Sequence, residues 1–120
     1  MLAAPKQPAK STESPLSYYQ SEITASVVGA IANKMYSRTD EAAIADARTK
    51  LKVEVHGPRT WLLRLPFVNI AVFETDAGLV LVDSGYAPAG PALRETLQKL
   101  SAKPVHTIIH SHYHADHAWG

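Results

Sequence analysis

The sequence predicts an α/β fold, in the looser α+β sense: a mixed β-sheet that contains a βαβ unit and is preceded by a helical arm. Three observations carry this. The spacing of apolar residues changes from every fourth position to every second at about Leu51. An apolar run at Leu79–Val82 and another at Val105–Ile109 flank an amphipathic stretch, the order of a parallel strand–helix–strand crossover. Finally, 46% of the 120 residues are hydrophobic and none is cysteine, so one small domain's core must be built by apolar packing alone.

Residues 1–16 carry Pro5, Pro8 and Pro15 with Ser11, Thr12 and Ser14, too few large apolar groups to offset the entropy of ordering, and read as a flexible lead. A helical arm follows over 17–51. Ile23, Val27, Ile31 and Met35 recur every four residues, and Ser17 with Gln20 has the spacing of a capping box. Ser37–Asp40 interrupts, and a second helical piece runs from Glu41 through Ile44 and Ala47 to Leu51, acid first and Arg48 and Lys50 last, as the helix dipole prefers.

From residue 52 the period is two. Val53 and Val55 alternate with Lys52, Glu54 and His56, Gly57-Pro58 turns the chain, and Trp61 and Leu63 face one side of a returning strand that Pro66 ends. Val68–Thr75 is a further strand and Asp76-Ala77-Gly78 a turn with glycine where positive φ is needed. Leu79–Val82 reads as a strand buried on both faces and ends at Asp83-Ser84-Gly85. Gly90-Pro91 opens a helix with Leu93, Leu97 and Leu100 in one stripe, and Lys103-Pro104 stops it before Val105–Ile109. Ligands in such layouts sit beyond the carboxyl ends of the strands, here Asp83-Ser84-Gly85 and the run that begins at His110.

Composition excludes some functions. Twelve Lys and Arg face eleven Asp and Glu, no excess with which to hold nucleic acid. No apolar run approaches the roughly 18 residues of a membrane span, and the start lacks the apolar core of a signal peptide. The chain reads as soluble, cytoplasmic by default with a periplasmic location open. Without cysteine, a metal would have to be held by imidazole and carboxylate.

Five of the six histidines fall between 106 and 117. Imidazoles so close repel one another when protonated, which makes a shared cation the economical explanation. His112 and His114, two apart on an extended segment, project to one side and can grip one ion. Asp116 and His117, where the chain turns into a helix, reach a second. Mixed imidazole and carboxylate donors suit zinc, with iron and manganese as alternatives, and two such ions about 3.5–4 Å apart can share a hydroxide that attacks an electrophile. His110, at a strand end just before this run, is assigned to support or packing behind the ligands. His56 and His106 read as ordinary strand-edge residues, and Tyr113 and Trp119 as cleft or packing residues.

His112-Tyr113-His114-Ala115-Asp116-His117, with Gly120 three residues on, resembles the HxHxDH signature of the metallo-β-lactamase superfamily. The likeness extends back over residues 52–120 through Asn69 and Leu81-Val82-Asp83-Ser84-Gly85, which is similar to that family's apolar strand ending in Asp-x-Gly. Ser111 stands where many relatives have threonine. The layout comes nearest the alkyl sulfatase branch. The resemblance implies half of an αββα sandwich, with 52–120 its amino-terminal part, truncated at the metal motif. It implies that His112 and His114 hold one zinc ion and Asp116 and His117 a second, that Asp116 takes part in catalysis, and that Asp83 supports the loop from behind. The implied function is a metal-dependent, dinuclear zinc hydrolase that acts through a metal-bound hydroxide on a small-molecule ester, sulfate ester, thioester or lactam. The chain is then a fragment, since the family's later half brings further ligands. The competing expectation is a His-rich metal-binding module without catalysis.

Overall fold

The computed structural model describes residue 27, residues 29–32 and residues 34–120. The chain divides into two compact units, Met1–Ala30 and Ile31–Gly120, and the sheet, the core and the histidine-rich loop belong to the second. The predicted lead, the capping box at Ser17 and Ile23 lie outside the described residues. Val27, Ile31 and Met35 are helical, but all three are more than half exposed, so the stripe they form is not core. Helical backbone ends at Tyr36.

Helix α1 spans Glu41–Lys50. The carboxylate of Asp40 caps it by accepting the Ala43 N–H at 3.1 Å, so one amide that lacks an intrahelical partner is satisfied by the side chain preferred there. Arg38 binds that carboxylate through two N–H groups, and this hydrogen bonding, followed by the cap itself, holds the Asp40 pKa below its ordinary value. Ala47 is the buried residue of α1.

Five strands follow, β1 (Lys52–Gly57), β2 (Thr60–Arg64), β3 (Asn69–Glu74), β4 (Leu79–Val82) and β5 (Val105–Ile109), in the spatial order β1-β2-β3-β4-β5. The first three pairings are antiparallel and β4–β5 is parallel. That parallel pair is bridged by helix α2 (Gly90–Leu100), which starts with proline in its first turn. A 3-10 turn at Ala87–Ala89 precedes α2 and had no signal in the periodicity.

Alternation puts Trp61, Leu63, Ile70, Val72, Leu79 and Leu81 on one face, where they form the core with Ala47, Leu93 and Leu97. A bidentate ion pair from Arg48 to Glu95 ties α1 to α2 on this side; both groups are half exposed, so it orients the helices more than it stabilises them. The opposite face carries Leu62, Ala71, Val82 and Ile109 in one registered row. Val80 and Val82 are only half-buried, which corrects the expectation that β4 is covered on both sides. The physical reason is that α1 and α2, joined by that ion pair, both lie on the Leu79/Leu81 side.

Gly78 closes the β3–β4 turn at φ 144°. A Cβ there would lie 2.6 Å from the Pro104 carbonyl oxygen, so glycine is needed both for its backbone conformation and for the approach of the β5 entry. Among the described residues no helix is long and apolar enough to cross a membrane.

Leu63 is fully buried at the centre of the core. Leu63→Ala should lower the unfolding free energy by about 2–5 kcal/mol, read from the midpoint of urea denaturation.

Candidate metal centre

Strands β4 and β5 run parallel, so their carboxyl ends release the chain at the same edge. The two segments that leave are stitched together by their own backbones. Asp83 N–H donates to the Ile109 carbonyl at 2.8 Å, Ser84 N–H to the His117 carbonyl at 2.8 Å, and the Trp119 and Gly120 N–H groups both donate to the Gly85 carbonyl. Gly120 lies so close to the Ser84 carbonyl that a Cβ would overlap its oxygen. The glycine three residues after His117 is therefore a steric requirement of this crossing. Between these stitches the chain forms the loop from His110 to His114 and a short helix α3, Ala115–Ala118.

Asp83 organises the loop. It is 5% exposed and adopts φ 67°, a left-handed conformation that aspartate tolerates better than most side chains. Its Oδ1 accepts the Ser111 N–H at 2.7 Å, the Ser111 hydroxyl contacts both oxygens at 2.9 and 2.8 Å, and its Oδ2 lies 2.7 Å from His117 Nδ1. Burial pushes its pKa up, but the hydrogen bonds from His117 and Ser111 outweigh that, and the pKa lies below the ordinary value of 3.8. The carboxylate is thus ionised at neutral pH, and a carboxylate only accepts. His117 must therefore donate from Nδ1, which leaves its Nε2 lone pair free while the ring is neutral.

The same logic extends one residue further. The Ser111 hydroxyl has one proton, given to Asp83, and its oxygen lies 2.9 Å from His112 Nδ1. That contact is favourable when His112 Nδ1–H donates to the hydroxyl oxygen, which again leaves Nε2 as the lone-pair nitrogen. One buried carboxylate sets the tautomer of two imidazoles, directly in one case and through a serine in the other.

The rings sit together: His112 and His117 have centroids 4.1 Å apart, His112 and His114 4.7 Å. Asp116 Oδ2 lies 3.3 Å from His117 Nε2. Among the described residues, however, no group of three or more such side chains has its donor atoms gathered about one point. The imidazoles pack ring against ring, and His117 is drawn towards two carboxylates. His110, expected in support of the ligands, reaches only the hydroxyl of buried Ser84, at 3.5 Å. His56 contacts Glu54 and His106 contacts Thr107, both on strands away from the loop. Tyr113 is exposed, with one edge contact to His114.

Three further residues reach this edge without a sequence signal. Tyr36 packs on Phe67 and Tyr86, with centroids 5.7 and 5.6 Å apart. Burial, then the charge of Asp116, pushes the Tyr36 phenol up, so Tyr36 lies within electrostatic reach of the loop. Arg64 and Phe67 line a cleft of about 500 Å³ with Asn69 and His117. Tyr36 and Phe67 meet across 31 positions of sequence, which no local pattern encodes.

A sheet that ends two parallel strands in a carboxylate-anchored, histidine-rich loop defines a class, the α/β proteins with a polar site at the strand ends. Residues 63–120, just under half of the chain, match the model of the metallo-beta-lactamase superfamily. A solved B3 metallo-beta-lactamase, described as the first with an active-site glutamic acid, is similar in structure at TM-score 0.52 and 28% identity, over 69% of this chain and 32% of that one. The chain thus spans about a third of that neighbour's length. The search of curated proteins found no match.

Asp83→Ala removes the carboxylate that accepts from the Ser111 N–H, the Ser111 hydroxyl and His117 Nδ1. We expect faster hydrogen exchange at the amides of residues 110–118 while those of β2 and β3 keep their protection. Unchanged exchange in the loop would contradict the assignment of Asp83 as its anchor.

Proposed function

We propose that the chain is part of a metal-dependent hydrolase, with residues 52–120 forming the amino-terminal portion of the catalytic domain. One observation carries this reading. With Nδ1 of His117 committed to Asp83, Nε2 is the nitrogen left for a metal, and a carboxylate oxygen of Asp116 lies 3.3 Å from it. The donor set fits a divalent metal of the zinc type: neutral imidazoles presenting Nε2, a carboxylate beside them, and a carboxylate behind that fixes the ring. His112, His114, Asp116 and His117 are the residues that would hold it, divided between two ions as the motif spacing suggests.

When bound, such an ion would act as a Lewis acid on a water molecule and on the carbonyl or sulfuryl oxygen of the substrate. The chain's own residues supply the rest. Asp83 and Ser111 hold two imidazoles in one tautomer, so no ring must reorient to bind. Asp116, beside His117 Nε2, can accept the proton that an attacking water gives up, the catalytic role assigned to it. The substrate is a small molecule with an electrophilic carbonyl or sulfuryl centre: an ester, sulfate ester, thioester or lactam.

Competition with a chromophoric chelator tests this. The chain should bind zinc, and His112→Ala and His117→Ala should each remove most of the affinity. Asp83→Asn, which leaves the ligands intact but costs the charge behind His117, should weaken binding by about 10- to 100-fold. Equal zinc affinity in all three variants would refute the site. Stoichiometric zinc in the full domain with no hydrolysis of ester, sulfate ester, thioester or lactam would favour a binding module instead.

A further inference from the structure

Strands β1 and β2 pair so that Lys52 stands directly opposite Arg64. Like charges at directly opposed positions repel, and a sheet normally places an acid there. Glu54 is the nearest acid, and it takes only the Nε–H of Arg64 while its other oxygen lies 3.1 Å from His56 Nε2. Among the described residues neither the Nη groups of Arg64 nor the ammonium of Lys52 donates a hydrogen bond to a protein acceptor. The hydrogen bonds from Arg64 and then His56 hold the Glu54 pKa below its ordinary value, so its single charge is already spoken for.

Arg64 is also the residue that leads into the cleft of about 500 Å³ shared with Phe67, Asn69 and His117. Asn69 is its direct partner on β3, so a guanidinium and a carboxamide lie side by side on the sheet. His117 lines the same cleft, and the exposed ring of Phe67 meets Tyr36 edge-on. A cleft lined by a cation, an amide, an apolar ring and a candidate ligand histidine suits a molecule that carries an anionic group beside a reactive one.

We propose that this cleft is an oxyanion-recognition subsite in which Arg64 Nη and the Asn69 amide bind a carboxylate or sulfate group of the substrate. Planar guanidinium forks match both groups with paired hydrogen bonds. A bound anion also relieves the Lys52–Arg64 repulsion. This deepens the hydrolase reading by naming the substrate class, small anionic molecules, and it rests on that reading only for where the bond to be cleaved lies. Arg64 touches the substrate but takes no part in holding metal.

The test uses the chain with chelator present at pH 8, so that its outcome does not depend on any metal. Sodium acetate and sodium sulfate are titrated in separate arms at constant ionic strength, and the Arg64 and Asn69 side-chain N–H signals are followed by NMR. We expect saturable shifts in at least one arm, and the tighter arm distinguishes carboxylate from sulfate recognition. Arg64→Gln should weaken that binding about tenfold or more, while Glu54→Gln, which frees the Nε–H, should strengthen it. Both variants should keep the wild-type pattern of backbone amide shifts, which shows that they fold, and the wild-type zinc affinity. Shifts that never saturate, or that persist equally in Arg64→Gln and Glu54→Gln, overturn the proposal. Anion binding without zinc binding would leave the subsite standing and remove the metal centre, and the converse would remove the subsite alone.

Discussion

The carboxylate of Asp83 is the constraint on which the rest of this edge depends. It is buried, ionised and saturated with donors: the Ser111 backbone N–H, the Ser111 hydroxyl and His117 Nδ1. A buried charge is stabilising only when it is fully hydrogen-bonded, and here the partners are the residues whose orientation matters for chemistry. The loop has almost no core of its own, Ala115 being its only buried residue between 110 and 118. What apolar packing does for the sheet, one anion does for the loop.

The sheet explains why that anion is in reach. Parallel pairing of β4 and β5 delivers Asp83 and the histidine run to the same edge, and the backbone hydrogen bonds among Ser84, Gly85, His117, Trp119 and Gly120 hold them there. The crossover helix α2 and helix α1 cover one face, so Leu63, Ile70 and Leu81 are sealed while Phe73 and Ile109 on the other face stay 41% and 52% exposed. The covered face is well packed, and Asp83 ties the loop to the end of a strand that belongs to it.

Much of this was legible in the sequence, for identifiable reasons. The β1–β2 hairpin, the glycine turn at Gly78 and the strand–helix–strand unit each carry a local signal, a change of period or a breaker residue, and local signals survive without knowledge of the fold. The motif from His112 to His117 and its partner Asp83 were legible because the crossover topology dictates which strand ends meet. Other features needed three dimensions. The one-sided cover of β4 depends on which face the helices choose, and Leu-Val-Leu-Val does not say. The register shift between Val55 and Gly57, which brings Lys52 opposite Arg64, is an irregularity that counting from the turn would miss. Tyr36 and Phe67 meet only because the chain folds back on itself. His110, assigned from its nearness in sequence to the motif, reaches the hydroxyl of Ser84.

Asp83, directly and through Ser111, fixes His117 and His112 with their protons on Nδ1. Long-range ¹H–¹⁵N correlation spectra of the imidazole rings above neutral pH read this without metal or substrate. Both rings should show a protonated Nδ1 and a lone-pair Nε2, and His112 should lose this preference in Ser111→Ala while His117 retains it. A predominant Nε2–H tautomer at His117 in the wild-type chain would contradict it.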